Sequence, residues 1–132
     1  MILKKTLVSN NPMVNEKYYE GMDIIYSDAY TYLDVLLIAR DKIHQGHHLL
    51  THPLSGSVKP NETPYKTVAV TQEKRNLDYK SVLIMEESIL TAKKFIENKK
   101  SPNWTEKLSQ DFQLIDFYLI QNAVESMDQF DK

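Results

Sequence analysis

The sequence predicts an α/β fold: a small three-layer sandwich of about four mainly parallel strands, with helices on both faces and a C-terminal helical hairpin. Three observations carry that expectation. Short runs rich in aliphatic and β-branched residues alternate with longer stretches whose apolar residues recur every three or four positions. Their order is β-α-β-α-β-β-α-α, and right-handed crossovers favour parallel pairing of the first three strands. The 132 residues suit one domain, 1–132, around one core.

Ile2 to Val8 reads as the first strand and runs into Ser9-Asn10-Asn11-Pro12. Asn11 is the expected N-cap, and Pro12 the first helical residue, where its missing N–H costs nothing. Gly21 suits a left-handed residue closing that short helix. Met22 to Tyr26 gives a second strand, followed by Ser27 and Asp28 as candidate caps. From Ala29 to Gln45, Tyr32, Leu36, Ala39 and Ile43 form a helical stripe that Gly46 ends. His48 to Thr51 is a short third strand. Three prolines and a glycine make 52–64 a long loop, and Tyr65 to Thr71 alternates as a fourth strand. Val82, Met85, Ile89, Ala92 and Ile96 mark a helix over about 78–98. Asn103 and Glu106 form a candidate capping box for the last helix, which carries Leu108, Phe112, Ile115, Leu119, Ala123 and Met127.

Composition excludes several function classes. Hydrophobic residues at 42% and charged residues at 26% fit a globular chain, not a disordered or membrane-spanning one. Sixteen basic against eighteen acidic residues leave a charge of −2, too weak a field to capture nucleic acid. With no cysteine, disulfides, thiolate catalysis and sulfur-based zinc sites are out, and a cytoplasmic setting is the natural expectation. Met1 to Val8 is too short, and too interrupted by Lys4 and Lys5, for a secretory signal.

Ligands of open α/β sheets bind beyond the carboxyl ends of strands, where backbone N–H groups point outward. Two segments are expected to converge there: 9–12 and the long loop. Loops beyond about 12 residues without regular structure are often functional. Ser55-Gly56-Ser57 can present N–H groups and hydroxyls to an anion, with Lys59 or Lys66 supplying charge. The ligand-binding candidates are therefore Asn10, Asn11, His52, Ser55, Gly56, Ser57 and Lys59. An ordinary proline-stiffened turn explains the same letters, and the spacing of a P-loop or a dinucleotide glycine motif is missing.

His44, His47, His48 and His52 cluster as metal ligands do. Without an HExxH pattern or a nearby carboxylate, cationic capping of a helix end is the preferred explanation, and no metal or cofactor is expected. His52 with Ser55 is the alternative catalytic pair, a base and a nucleophile or substrate-holding hydroxyl, but nothing in the sequence supplies the orienting acid. Tyr18, Tyr19, Tyr26, Tyr30 and Tyr32 read as core-rim aromatics rather than a pocket. The apolar stripes of the terminal helices leave a homodimer or scaffold open beside simple intramolecular packing.

The segments Val8-Ser9-Asn10-Asn11-Pro12 and 50–66, Leu50-Thr51-His52-Pro53-Leu54-Ser55-Gly56-Ser57 onward to Lys66, resemble the GrdX family, and the likeness extends over most of the chain. That family consists of small proteins encoded beside the glycine, sarcosine and betaine reductases of amino-acid-fermenting anaerobes. The resemblance implies an accessory role, with a small anionic metabolite or a reductase component as partner, and transfers no catalytic residue. A small hydrolase or transferase using His52 is the alternative.

Overall fold

The computed structural model describes residues 3–56, 58–98 and 104–130. Among them the elements are β1 (Lys5–Ser9), α1 (Pro12–Tyr18), β2 (Asp23–Tyr26), α2 (Tyr32–His44), β3 (Thr67–Thr71), α3 (Tyr79–Asn98) and α4 (Glu106–Phe130). The fold is mixed α/β: four helices and one open sheet of three strands in the order β2-β1-β3.

The strands are not mainly parallel. β1 pairs parallel with β2 across the α1 crossover, but antiparallel with β3. The predicted third strand at 48–51 reduces to one antiparallel bridge between Leu49 and Val70. Hydroxyl groups explain why. Thr71 Oγ1 accepts the His48 N–H at 2.8 Å, Ser81 Oγ accepts the Leu49 N–H at 3.0 Å, and Thr51 Oγ1 accepts the Ala69 N–H at 3.0 Å. Side chains thus occupy positions a backbone ladder would need. The long loop then turns the chain back, and β3 takes the place beside β1. All five of its residues, Thr-Val-Ala-Val-Thr, are buried, whereas Leu49 and Leu50 are only half-buried. Each fully buried Val contributes about 1.5–3 kcal/mol, so the more apolar, β-branched segment wins the inner position.

The helical hairpin is also corrected. Along β1 and β3, Val8, Val68 and Val70 face one side, and Leu7 and Ala69 the other, so both faces need cover. The first side packs Val35, Leu36, Ala39 and Ile43 of α2 together with Met85, Ile89 and Ala92 of α3. The second packs Val14 of α1 with Ile120 and Val124 of α4. The two long helices therefore serve opposite faces of the sheet.

Local signals hold more closely. Asn11 caps α1, its Oδ1 accepting the Met13 N–H at 3.0 Å with Pro12 at the first position. α1 ends through Tyr19 in ordinary helical backbone, so Gly21 is not the expected left-handed residue. Gly46 is, with φ 111°, and a Cβ there would stand 2.3 Å from the Arg75 carbonyl oxygen. α2 starts later than expected: Thr31, not Ser27 or Asp28, is its cap, in a reciprocal box with Asp34. At α4, Thr105 Oγ1 accepts the Leu108 N–H at 3.2 Å, while Asn103 of the predicted box lies outside the described residues. Among the described residues no helix is long and apolar enough to cross a membrane.

Candidate functional site

Where β1 ends, Ser9, Asn10 and Asn11 are all buried. Asn10 ties three segments together. Its Nδ2 donates to the carbonyls of Tyr30 (3.1 Å) and Pro64 (2.7 Å), and its Oδ1 accepts the Lys66 N–H at 2.9 Å. Asn11 Nδ2 donates to the Gln113 carbonyl at 2.8 Å and to Asp116 Oδ2 at 3.1 Å. Both side chains thus spend two donors and an acceptor inside the protein.

The residue they converge on is Asp116 of α4, a buried carboxylate only 6% exposed. Its Oδ2 also accepts from Thr67 Oγ1 at 2.7 Å. Thr67 Oγ1 lies 2.7 Å from Ser9 Oγ, which in turn accepts the Asn11 N–H at 3.0 Å. Each hydroxyl has one proton, so Thr67 donating to Asp116 leaves Ser9 to donate to Thr67. The result is a directed chain from the Asn11 amide through Ser9 and Thr67 to the carboxylate. Burial pushes the Asp116 carboxyl above the usual carboxylate range, against the hydrogen bonds of Thr67 and Asn11 and the charge of Lys66.

Lys66, 5% exposed, is the opposing cation. Its Nζ donates to the Ser55 carbonyl at 3.3 Å and stands 6.0 Å from the Tyr32 ring centre. An ammonium has three donors, so two remain without a hydrogen-bonded partner among the described residues. Burial pushes Lys66 below the ordinary lysine value, and Asp116 pulls it partly back. Burial, and then the Asp116 charge, push the Tyr32 phenol up.

These groups face a narrow cleft whose free core is about 20 Å³, room for one water-sized group, walled by Tyr32, Ser55, Thr63, Lys66, Ile115 and Asp116. Tyr32 and Thr63 also line a second, larger cleft of about 420 Å³ with Tyr30, Pro60, Pro64 and Trp104. Among the described residues no charged side chain lines that second cleft. A third cleft, of about 580 Å³, lies at the opposite end of β1 around Lys5, Asp23 and Asp128.

The predicted residues divide between this rim and the surface. Asn10 and Asn11 are at the rim as structural ties, and Ser55 walls the cleft and bonds Lys66 through its carbonyl. Gly56 has φ 95°, and a Cβ there would meet Leu119 Cδ1 at 2.8 Å, so glycine lets the loop close onto α4. Ser57 lies outside the described residues. Lys59 is exposed and sits 5.8 Å above the Phe95 ring, away from the cleft walls. His52 is exposed too, its Nδ1 accepting the Leu54 N–H at 3.1 Å, with no bond to an acid or a serine hydroxyl among the described residues.

The remaining histidines are dispersed: His47 packs against the Thr71 carbonyl, His48 against that of Asn76, and His44 beside Glu86. Among the described residues no three His, Cys, Asp or Glu side chains gather as metal ligands do. Sequence reasoning missed Asp116 and Thr67 and gave Lys66 second place to Lys59. One signal was present, since Asp116 interrupts the apolar stripe of Phe112, Ile120 and Val124 at helical spacing, and an acid there faces the core.

No curated protein and no solved structure matches the chain. A family model described as GrdX-like protein matches residues 6–125, a span that contains the Asn10–Asn11 ties, the long loop, Lys66, Thr67 and Asp116. The chain belongs to the GrdX-like protein family.

Proposed function

We propose that this chain is a non-catalytic accessory protein of the glycine, sarcosine and betaine reductase system, binding a small anionic ligand at the Lys66 end of the long loop. Family membership supports the association with that system. The observation that carries the ligand reading is the Lys66 ammonium, buried beside a cleft with two donors that have no hydrogen-bonded partner among the described residues. Buried cations are costly, and one that is not closed onto a carboxylate retains electrostatic capacity for an incoming anion. The ligand's anionic group would take Lys66 in place of Lys59, with Ser55 and Thr63 flanking it. The solvent-facing His52, bonded to no acid among the described residues, favours binding over hydrolysis or group transfer.

The test is a thermal-shift and calorimetric panel of acetate, phosphate, acetyl phosphate, glycine, sarcosine and betaine on the wild type and on Lys66→Met. A ligand confined to the folded state at a hundredfold excess over Kd adds about 2.7 kcal/mol of stability. At least one member of the panel is expected to raise the wild-type Tm and to lose that effect in Lys66→Met. A flat panel, or equal shifts in both proteins, overturns the reading.

A further inference from the structure

α4 turns a second face to solvent, opposite the one carrying Asp116, Ile120 and Val124. Lys107, Asp111, Leu114, Tyr118 and Glu125 recur there at steps of four, three, four and seven, and all five are exposed. Its centre is apolar: Leu114 is 41%, Ile115 43% and Tyr118 51% exposed, with Leu119 beside them. Contiguous exposed apolar side chains rimmed by charge mark interaction surfaces.

The charges around this patch decide its occupant. Leu114 and Tyr118 lie equally far on either side of position 116, and so do Lys107 and Glu125. A second copy of α4 laid antiparallel about that position sets Leu114 against Tyr118 of the second copy, and Lys107 against its Glu125 at both ends. A parallel pairing sets Lys107 against Lys107 and Glu125 against Glu125. Exposed ion pairs add little affinity but select orientation, and a self-complementary surface is what a two-fold contact requires. We infer that the outer face of α4 is the interface of an antiparallel homodimer centred on Leu114 and Tyr118. Ile115 and Leu119 continue the patch to the Lys66 cleft, both lining it, so the second copy borders its mouth.

The chain has no cysteine, which makes single-cysteine cross-linking specific. Lys107→Cys and Glu125→Cys chains, mixed and mildly oxidised, are expected to give a disulfide-linked dimer containing one of each, while each alone gives far less. Equal cross-linking of either variant alone, or none in the mixture, overturns the antiparallel arrangement. Sedimentation of the wild type is expected to show a dimer that dissociates in Leu114→Glu/Tyr118→Glu, which sets like charges against each other across the contact, with an unchanged circular dichroism spectrum because both positions are exposed. A wild type that sediments as a monomer at every concentration, or a dimer indifferent to that pair of substitutions, overturns the proposal and gives the face to another occupant.

Discussion

Lys5 and Lys66 are both buried lysines flanking the sheet, and each has an aspartate of α4 as its counterion, yet the two ends of the strand handle their charges differently. At one end Lys5, 3% exposed, bonds directly to Asp128 and donates to the Leu3 carbonyl at 2.8 Å. At the other end Lys66 bonds a loop carbonyl, and Asp116 turns to Thr67 and Asn11. Asp116 and Asp128 are twelve residues apart on α4, about 18 Å at helical rise and close to the length of five-residue β1. One helix is thus fixed at both ends of the central strand. Both pairs line clefts, but the closed pair bonds its ammonium to its carboxylate, whereas the open pair holds the two apart and leaves two Lys66 donors without a hydrogen-bonded partner among the described residues. The difference teaches that a buried charge beside a cavity does not by itself mark a site; a buried cation that its carboxylate does not close onto does.

Four measurements break or sharpen that contrast. Asp116→Ala strands the Thr67 hydroxyl, the Asn11 amide and the Lys66 charge together, and is expected to cost about 3–5 kcal/mol in denaturant unfolding. Lys5→Met, at the closed end, leaves Asp128 alone, but that carboxylate is one-third exposed and rehydrates, so about 1–3 kcal/mol is expected. Thr67→Val keeps the shape and breaks only the hydroxyl chain, at about 1–2 kcal/mol, and leaves the Lys5 end untouched. Smallest is a pH effect. Burial holds the Asp116 carboxyl above its ordinary value, so its contribution to stability is fully present below the unfolded pKa of about 3.9 and is lost as pH rises through the folded value. Asp116→Asn is therefore expected to gain stability relative to wild type as pH rises from about 4, and a constant difference across pH contradicts this assignment.

Local chemistry made much of the fold legible. Asn11 before Pro12, Gly46 after the apolar stripe and the β-branched run ending at Thr71 each place an element boundary within a few residues. Pairing was not legible, because 48–51 and 67–71 are both short and β-rich, and only tertiary hydroxyl bonds from Thr71, Ser81 and Thr51 separate bridge from strand. The rule that sites form beyond the carboxyl ends of strands located one half of the candidate site, the meeting of 9–12 with the end of the long loop. Asp116 stands 49 residues beyond Thr67, its nearest chain partner in the network, and no local pattern brings the two together. His52 and Lys59 drew notice as reactive residue types, but the loop turns both outward.

The most direct test follows the two ammonium groups in one sample. With lysine side chains isotopically labelled, each Nζ or Cε resonance assigned by Lys→Arg substitution, and the anion that raises the wild-type Tm added stepwise, Lys66 is predicted to shift saturably while Lys5 stays fixed. Movement of Lys5 with Lys66, or of neither, contradicts the division between a closed pair and an open one.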